Sequence, residues 1–109
     1  AYTVTKQGGG GGFASMYPQV YFRGTPNTWE TTPMTLVADN TWSINVTFGN
    51  TPSERFKFDI NGDWTLNFGD NQPDGIADQT GNDILITEGP GNYTITFNDQ
   101  SKVYTVVKN

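Results

Sequence analysis

The chain has 109 residues, a net charge of −5 and neither cysteine nor histidine. That length supplies one modest core and leaves little room for a deep catalytic cleft. The charge excludes a clustered basic surface for a phosphate backbone, and the two missing residue types remove disulfides, thiolate metal sites, the commonest zinc ligand and the commonest general base.

Residues Gly8 to Gly12 are five consecutive glycines and read as a flexible tether. The preceding Ala1 to Gln7 alternates like a strand, which fits either the end of an upstream domain or a foreign segment that happens to pack, and an engineered spacer is the plain alternative for the glycines. The expected division is therefore an N-terminal segment and linker over 1–12 and one β-sandwich domain over 13–109. The whole reads as part of a longer protein.

After the tether, aromatic residues at 14% of the chain, abundant turn formers and few helix formers predict strands. Pro18 to Gly24 carries Val20 and Phe22 on one face, and Thr41 to Phe48 alternates Trp42, Ile44, Val46 and Phe48 against Ser43, Asn45 and Thr47. Glu54 to Ile60 turns Phe56, Phe58 and Ile60 inward and Arg55, Lys57 and Asp59 outward. It runs through Asn61-Gly62-Asp63 into Trp64 to Phe68, a hairpin signature. Ile84 to Thr87, Asn92 to Asn98 and Lys102 to Val107 complete an all-β, immunoglobulin-like antiparallel sandwich of about seven to eight short strands, with no helix.

The three tryptophans read differently. Trp42 is in phase with a core face. Trp29 lies between Pro26 and Pro33 in a stretch without alternation, and is either a lid over the sandwich edge or a binding platform. Trp64 shares phase with Leu66 and Phe68 yet follows a turn directly, so periodicity leaves core and exposed roles open. A pyranose ring is held by stacking its C–H face on an indole and hydrogen-bonding its rim, chemistry that needs no net charge. Lys57, outward on the strand leading to Trp64, is either a solvated lysine or a donor to such a rim.

Gly24-Thr25-Pro26-Asn27-Thr28-Trp29, Pro33-Met34, Asp39-Asn40-Thr41-Trp42 and Phe56-Lys57-Phe58-Asp59-Ile60-Asn61-Gly62-Asp63-Trp64 occur in an order that resembles the starch- and glycogen-binding carbohydrate-binding modules. The resemblance is to modules appended to bacterial raw-starch-degrading α-amylases, of family 69 or a relative of families 20, 25, 26 and 48, and covers about Tyr17 to Val107. It implies a secreted, non-catalytic module that tethers an amylolytic enzyme to starch, glycogen, maltooligosaccharides or cyclodextrin, with Trp29 and Trp64 stacking on successive glucose rings and Lys57 bonding their hydroxyls. It also implies a polar pair before the next strand, here Thr80 and Asn82. The insertion from Asn67 to Gly81, directly before and within that stretch, departs from the family pattern.

Three other readings compete. Asp70, Asp74 and Asp78 space oxygen ligands in a faint calcium-loop pattern, although Gly81 stands where such a loop needs a bidentate acid, and a solvated acidic loop accounts for the same residues. Asp63 and Asp70 are a formal carboxylate pair for glycoside hydrolysis, but turn aspartates on a thin sandwich lack the burial that raises one pKa. A fibronectin-like structural or protein-interaction spacer domain of a secreted enzyme is the alternative to sugar binding. No cofactor, nucleic acid or membrane partner is expected.

Overall fold

A computed structural model describes residues 13–49 and 53–109, and the expected tether and N-terminal strand lie outside them. Among the described residues, ten strands form two antiparallel sheets packed as a β-sandwich. They are β1 (Tyr21–Gly24), β2 (Thr32–Pro33), β3 (Thr35–Ala38), β4 (Thr41–Phe48), β5 (Arg55–Asp59), β6 (Asn67–Gly69), β7 (Asp78–Gln79), β8 (Ile84–Leu85), β9 (Gly91–Asn98) and β10 (Tyr104–Lys108). The first sheet has the order β2-β1-β5-β6-β7, with β8 also pairing to β5, and the second has β10-β9-β4-β3. Strands β2, β3 and β7 exceed the expected count because they are too short or too exposed to alternate visibly. The segment between β1 and β2 also holds one 3₁₀ turn, Thr25–Asn27, where no helix was expected.

The core is aromatic. Phe22, Phe56 and Phe58 from the first sheet and Phe48, Tyr93, Ile95 and Phe97 from the second are at most 1% exposed. Phe58 stacks on Phe97 with centroids 4.6 Å apart at 23°, and Phe48 meets Tyr93 edge-on at 5.5 Å, both within the geometry aromatic pairs prefer. The alternation in β4 and β5 therefore does what period two requires: one face closes the sandwich and the other is free for chemistry. Trp42 is 3% exposed, in the core as expected.

Two departures from the sequence pattern matter for the site. The β5–β6 hairpin exists, with Phe58 opposite Phe68 and Asp59 opposite Asn67, but its connection is a seven-residue loop rather than a tight turn. Ile60 donates to the carbonyl of Leu66 and closes it. Trp64 thus lies in a loop and not in a strand. Asp59, outward by alternation, is fully buried, because that loop and Arg23 fold over it.

Candidate functional site

The outward face of the β1–β5 pair, flanked by two loops, gathers most of the expected residues. Gly24 ends β1, and a Cβ there would sit 2.6 Å from the carbonyl oxygen of Arg55, so only glycine lets β1 approach β5 and then turn away. Asn27 organises the loop that follows. Its Oδ1 accepts from the Gly24 N–H at 2.9 Å, and its Nδ2 donates to the carbonyls of Phe22 and Glu30 and to Thr32 Oγ1. The Trp29 N–H donates to the Gly24 carbonyl at 2.8 Å. This hub holds Thr28 and Trp29 in the left-handed region at φ 58° and 63°, a conformation that non-glycine residues take at a cost.

The second loop is built around Asp59. Its Oδ1 accepts from Gly62 N–H at 3.1 Å, and its Oδ2 accepts from Trp64 N–H at 3.2 Å, with Trp64 also left-handed at φ 69°. Arg23, opposite Lys57 in the β1–β5 register, joins the two loops. Its Nε donates to the Trp29 carbonyl at 2.7 Å, its Nη1 to Asp59 Oδ2 at 3.0 Å and to the Gly62 carbonyl at 3.3 Å, and its guanidinium carbon lies 4.2 Å from the Trp64 ring centroid. From β6, Asn67 Nδ2 donates to the Trp64 carbonyl at 2.9 Å, while its buried Oδ1 has no partner.

The result is a pair of indoles, Trp29 and Trp64, with ring centroids 6.1 Å apart and planes inclined at 48°. Trp64 is 37% exposed, which places it outside the core. The Lys57 ammonium lies 5.9 Å from the Trp64 ring, and burial pushes its pKa below the ordinary lysine value against the opposing pull of Asp83 and Asp59. Cation, aromatic faces and a wall of hydrogen-bonded loop thus share one side of the sheet, an arrangement suited to stacking a neutral ring and donating to its rim.

The remaining expected residues fall on the other side of β5. Thr80, at φ 56°, donates its N–H to the Asn67 carbonyl at 2.8 Å. Asn82 accepts from the Asp70 N–H at 2.8 Å through its carbonyl and donates its own N–H to Asn71 Oδ1 at 3.0 Å. Both are tied to β6 and its following loop by backbone, with their side chains exposed. Neighbouring Asp83 pairs with Arg55 at 3.2 Å.

The three loop aspartates are turned onto their own loop. Asp70 accepts from the Gln72 and Gly75 N–H groups at 3.1 Å each and from the Tyr104 hydroxyl at 2.6 Å, Asp74 from Ile76 N–H at 3.0 Å, and Asp78 from Asn71 N–H at 2.8 Å. Burial opposes ionisation of Asp70, but the hydroxyl of Tyr104 and the loop N–H groups outweigh it and hold the pKa below the ordinary carboxylate range. Among the described residues no group of three or more acidic side chains is arranged around a common point for a metal.

Sequence reasoning missed Arg23, Asp59 and Asn27 as builders of this site. The outward phase of Arg23 and Asp59 was available, but their pairing depends on the β1–β5 register, which no local pattern states. A cavity of about 220 Å³ also opens behind the first loop, lined by Pro26, Asn27, Ile44 and Val46 among others, away from the expected residues. Comparisons with models of known families, with curated proteins and with solved structures found no match to the chain.

Proposed function

We propose that the protein is a non-catalytic binding module for α-1,4-glucans such as starch, glycogen and maltooligosaccharides, and that it tethers a covalently linked amylolytic domain to its substrate in a secreted bacterial enzyme. The observation that carries this reading is the inclined pair of Trp29 and Trp64, 6.1 Å and 48° apart on one face of the sheet. Two faces meeting at an angle follow a chain that curves from ring to ring, as an α-1,4-glucan does, whereas a flat β-linked chain is matched by coplanar rings. Lys57 beside Trp64 supplies hydrogen-bond donors for ring hydroxyls. Both tryptophans are left-handed, and a cost of about 1–3 kcal/mol at each is more readily understood at a binding site than in an inert spacer.

The absence of catalysis in this reading is supported by the carboxyl groups. Glycoside hydrolysis needs one acid held protonated by burial beside a second ionised one. Here the side-chain and backbone donors of Thr65 lower the pKa of exposed Asp63, and the Tyr104 hydroxyl and loop N–H groups lower that of Asp70, so both move away from the acid role.

Each indole stack contributes only a few kcal/mol, so short maltooligosaccharides should bind with Kd of roughly micromolar to millimolar, and retention on granules depends on multivalency. A pull-down on insoluble starch, cellulose, chitin and xylan tests the reading. Retention on starch alone, lost in Trp29→Ala and Trp64→Ala, is expected. Retention on cellulose but not starch, or unimpaired starch binding by both variants, refutes it.

A further inference from the structure

We propose that Arg23 is the positioning residue that sets the angle between Trp29 and Trp64 and makes the platform selective for a curved glucan chain over a flat one; this rests on the functional reading above. The two indoles sit on separate loops, one following β1 and the other following β5, and among the described residues no backbone hydrogen bond runs between the two loops. Arg23 does so with a single planar group. Its Nε holds the backbone of Trp29, its Nη1 holds the backbone of Gly62 two residues before Trp64, and its guanidinium carbon lies over the Trp64 ring, 4.2 Å from the centroid.

A guanidinium is rigid, so atoms bonded to its different nitrogens are held in one fixed relation, which a flexible ammonium cannot reproduce. Its own orientation is set from below by Asp59, which is fully buried and also accepts the Gly62 and Trp64 N–H groups. With both loops held by this one group, the two indole planes keep their 48° inclination. Selectivity follows: when the angle is free to open, the platform can flatten and the penalty against a flat chain falls.

The test uses the whole chain with Arg23→Lys, Arg23→Met and the double variant Arg23→Met with Asp59→Asn, the last to avoid leaving a buried acid alone should Arg23→Met fail to fold. One readout needs no ligand: two indoles this close give an exciton couplet in circular dichroism, assigned to the pair by its disappearance in Trp64→Ala. The other is the affinity ratio of β-cyclodextrin to cellohexaose by titration calorimetry. The expected result is a weakened couplet in folded Arg23 variants, with the ratio lowered about fivefold or more in the Met variants and by less in Arg23→Lys. A folded Arg23 variant that keeps both the couplet and the ratio overturns the proposal while leaving starch binding intact. A parent that binds neither ligand overturns the functional reading and the selectivity with it, and the couplet alone then decides whether Arg23 positions the pair.

Discussion

Two tryptophans in this molecule are each tied to a fully buried aspartate, and the two ties hold opposite ends of the residue. In the core, Trp42 donates its indole N–H to Asp99 Oδ2 at 3.0 Å, so the ring itself is fixed. At the platform, Asp59 accepts the backbone N–H of Trp64, so the chain is fixed and the ring is left to the surface. The Asp99 carboxylate also accepts from Met16 N–H at 2.9 Å and Asn40 Nδ2 at 2.8 Å, so its side-chain donors are neutral. Asp59 instead works with Arg23. The difference separates a tryptophan buried as structure from one whose ring is partly exposed: the first has its polar handle consumed, the second has its backbone restrained.

The comparison can be broken most decisively at Trp42. Trp42→Ala removes a core ring and strips a partner from Asp99, and a loss of about 4 kcal/mol in urea unfolding is expected; a loss below about 1 kcal/mol would mean the ring is not structural. Asp99→Asn comes next, at about 2–3 kcal/mol, because the amide turns a donor toward groups that are themselves donors; sugar binding by the folded variant should be unchanged. A third buried acid sharpens the rule. Tyr104→Phe deprives Asp70 of its hydroxyl donor and should cost about 1–2 kcal/mol at neutral pH, measured by the same unfolding curves.

The Asp70–Tyr104 pair also has two pH edges. The folded-state pKa of Asp70 is depressed, so its contribution is present above the unfolded value of about 4 and is lost as pH falls through the lower folded one. That of Tyr104 is raised, by burial first and by Asp70 second, so its contribution is present below the unfolded value of about 10 and fades as pH rises beyond it. Both edges of the parent's melting-temperature profile should soften in Tyr104→Phe. The smallest effect is expected of Trp64→Ala, a loss of about 1 kcal/mol in stability while starch retention is lost. A large destabilisation there would make Trp64 a second Trp42.

The sandwich was legible because burial writes a period of two into β4, β5 and β9, and Trp42 could be assigned to the core from its phase with Phe48. Trp29 and Lys57 were legible as candidates from loop context and outward phase. Trp64 was not settled by phase, since apparent alternation with Leu66 and Phe68 runs through a loop that follows Asp59 rather than a strand. Arg23 and Asp59 were illegible as a pair, because 36 residues separate them and only the register brings Tyr21 opposite Asp59. Strands β2 and β7 were invisible for a simpler reason: two residues cannot show a period.

Those two short strands have a consequence for how molecules behave when crowded. A sheet edge with a long row of unpaired N–H and C=O groups templates association with a neighbour, and short or irregular edges frustrate it. The first sheet ends in two-residue strands on both sides, and β3 at one edge of the second carries a register shift between Leu36 and Ala38. Only β10 offers a regular edge among the described strands, and since the Gly75 carbonyl already takes the Tyr104 N–H, that edge is open from Thr105 to Lys108. Many copies brought side by side would therefore remain separate at three borders, and intermolecular strand addition is steered to one.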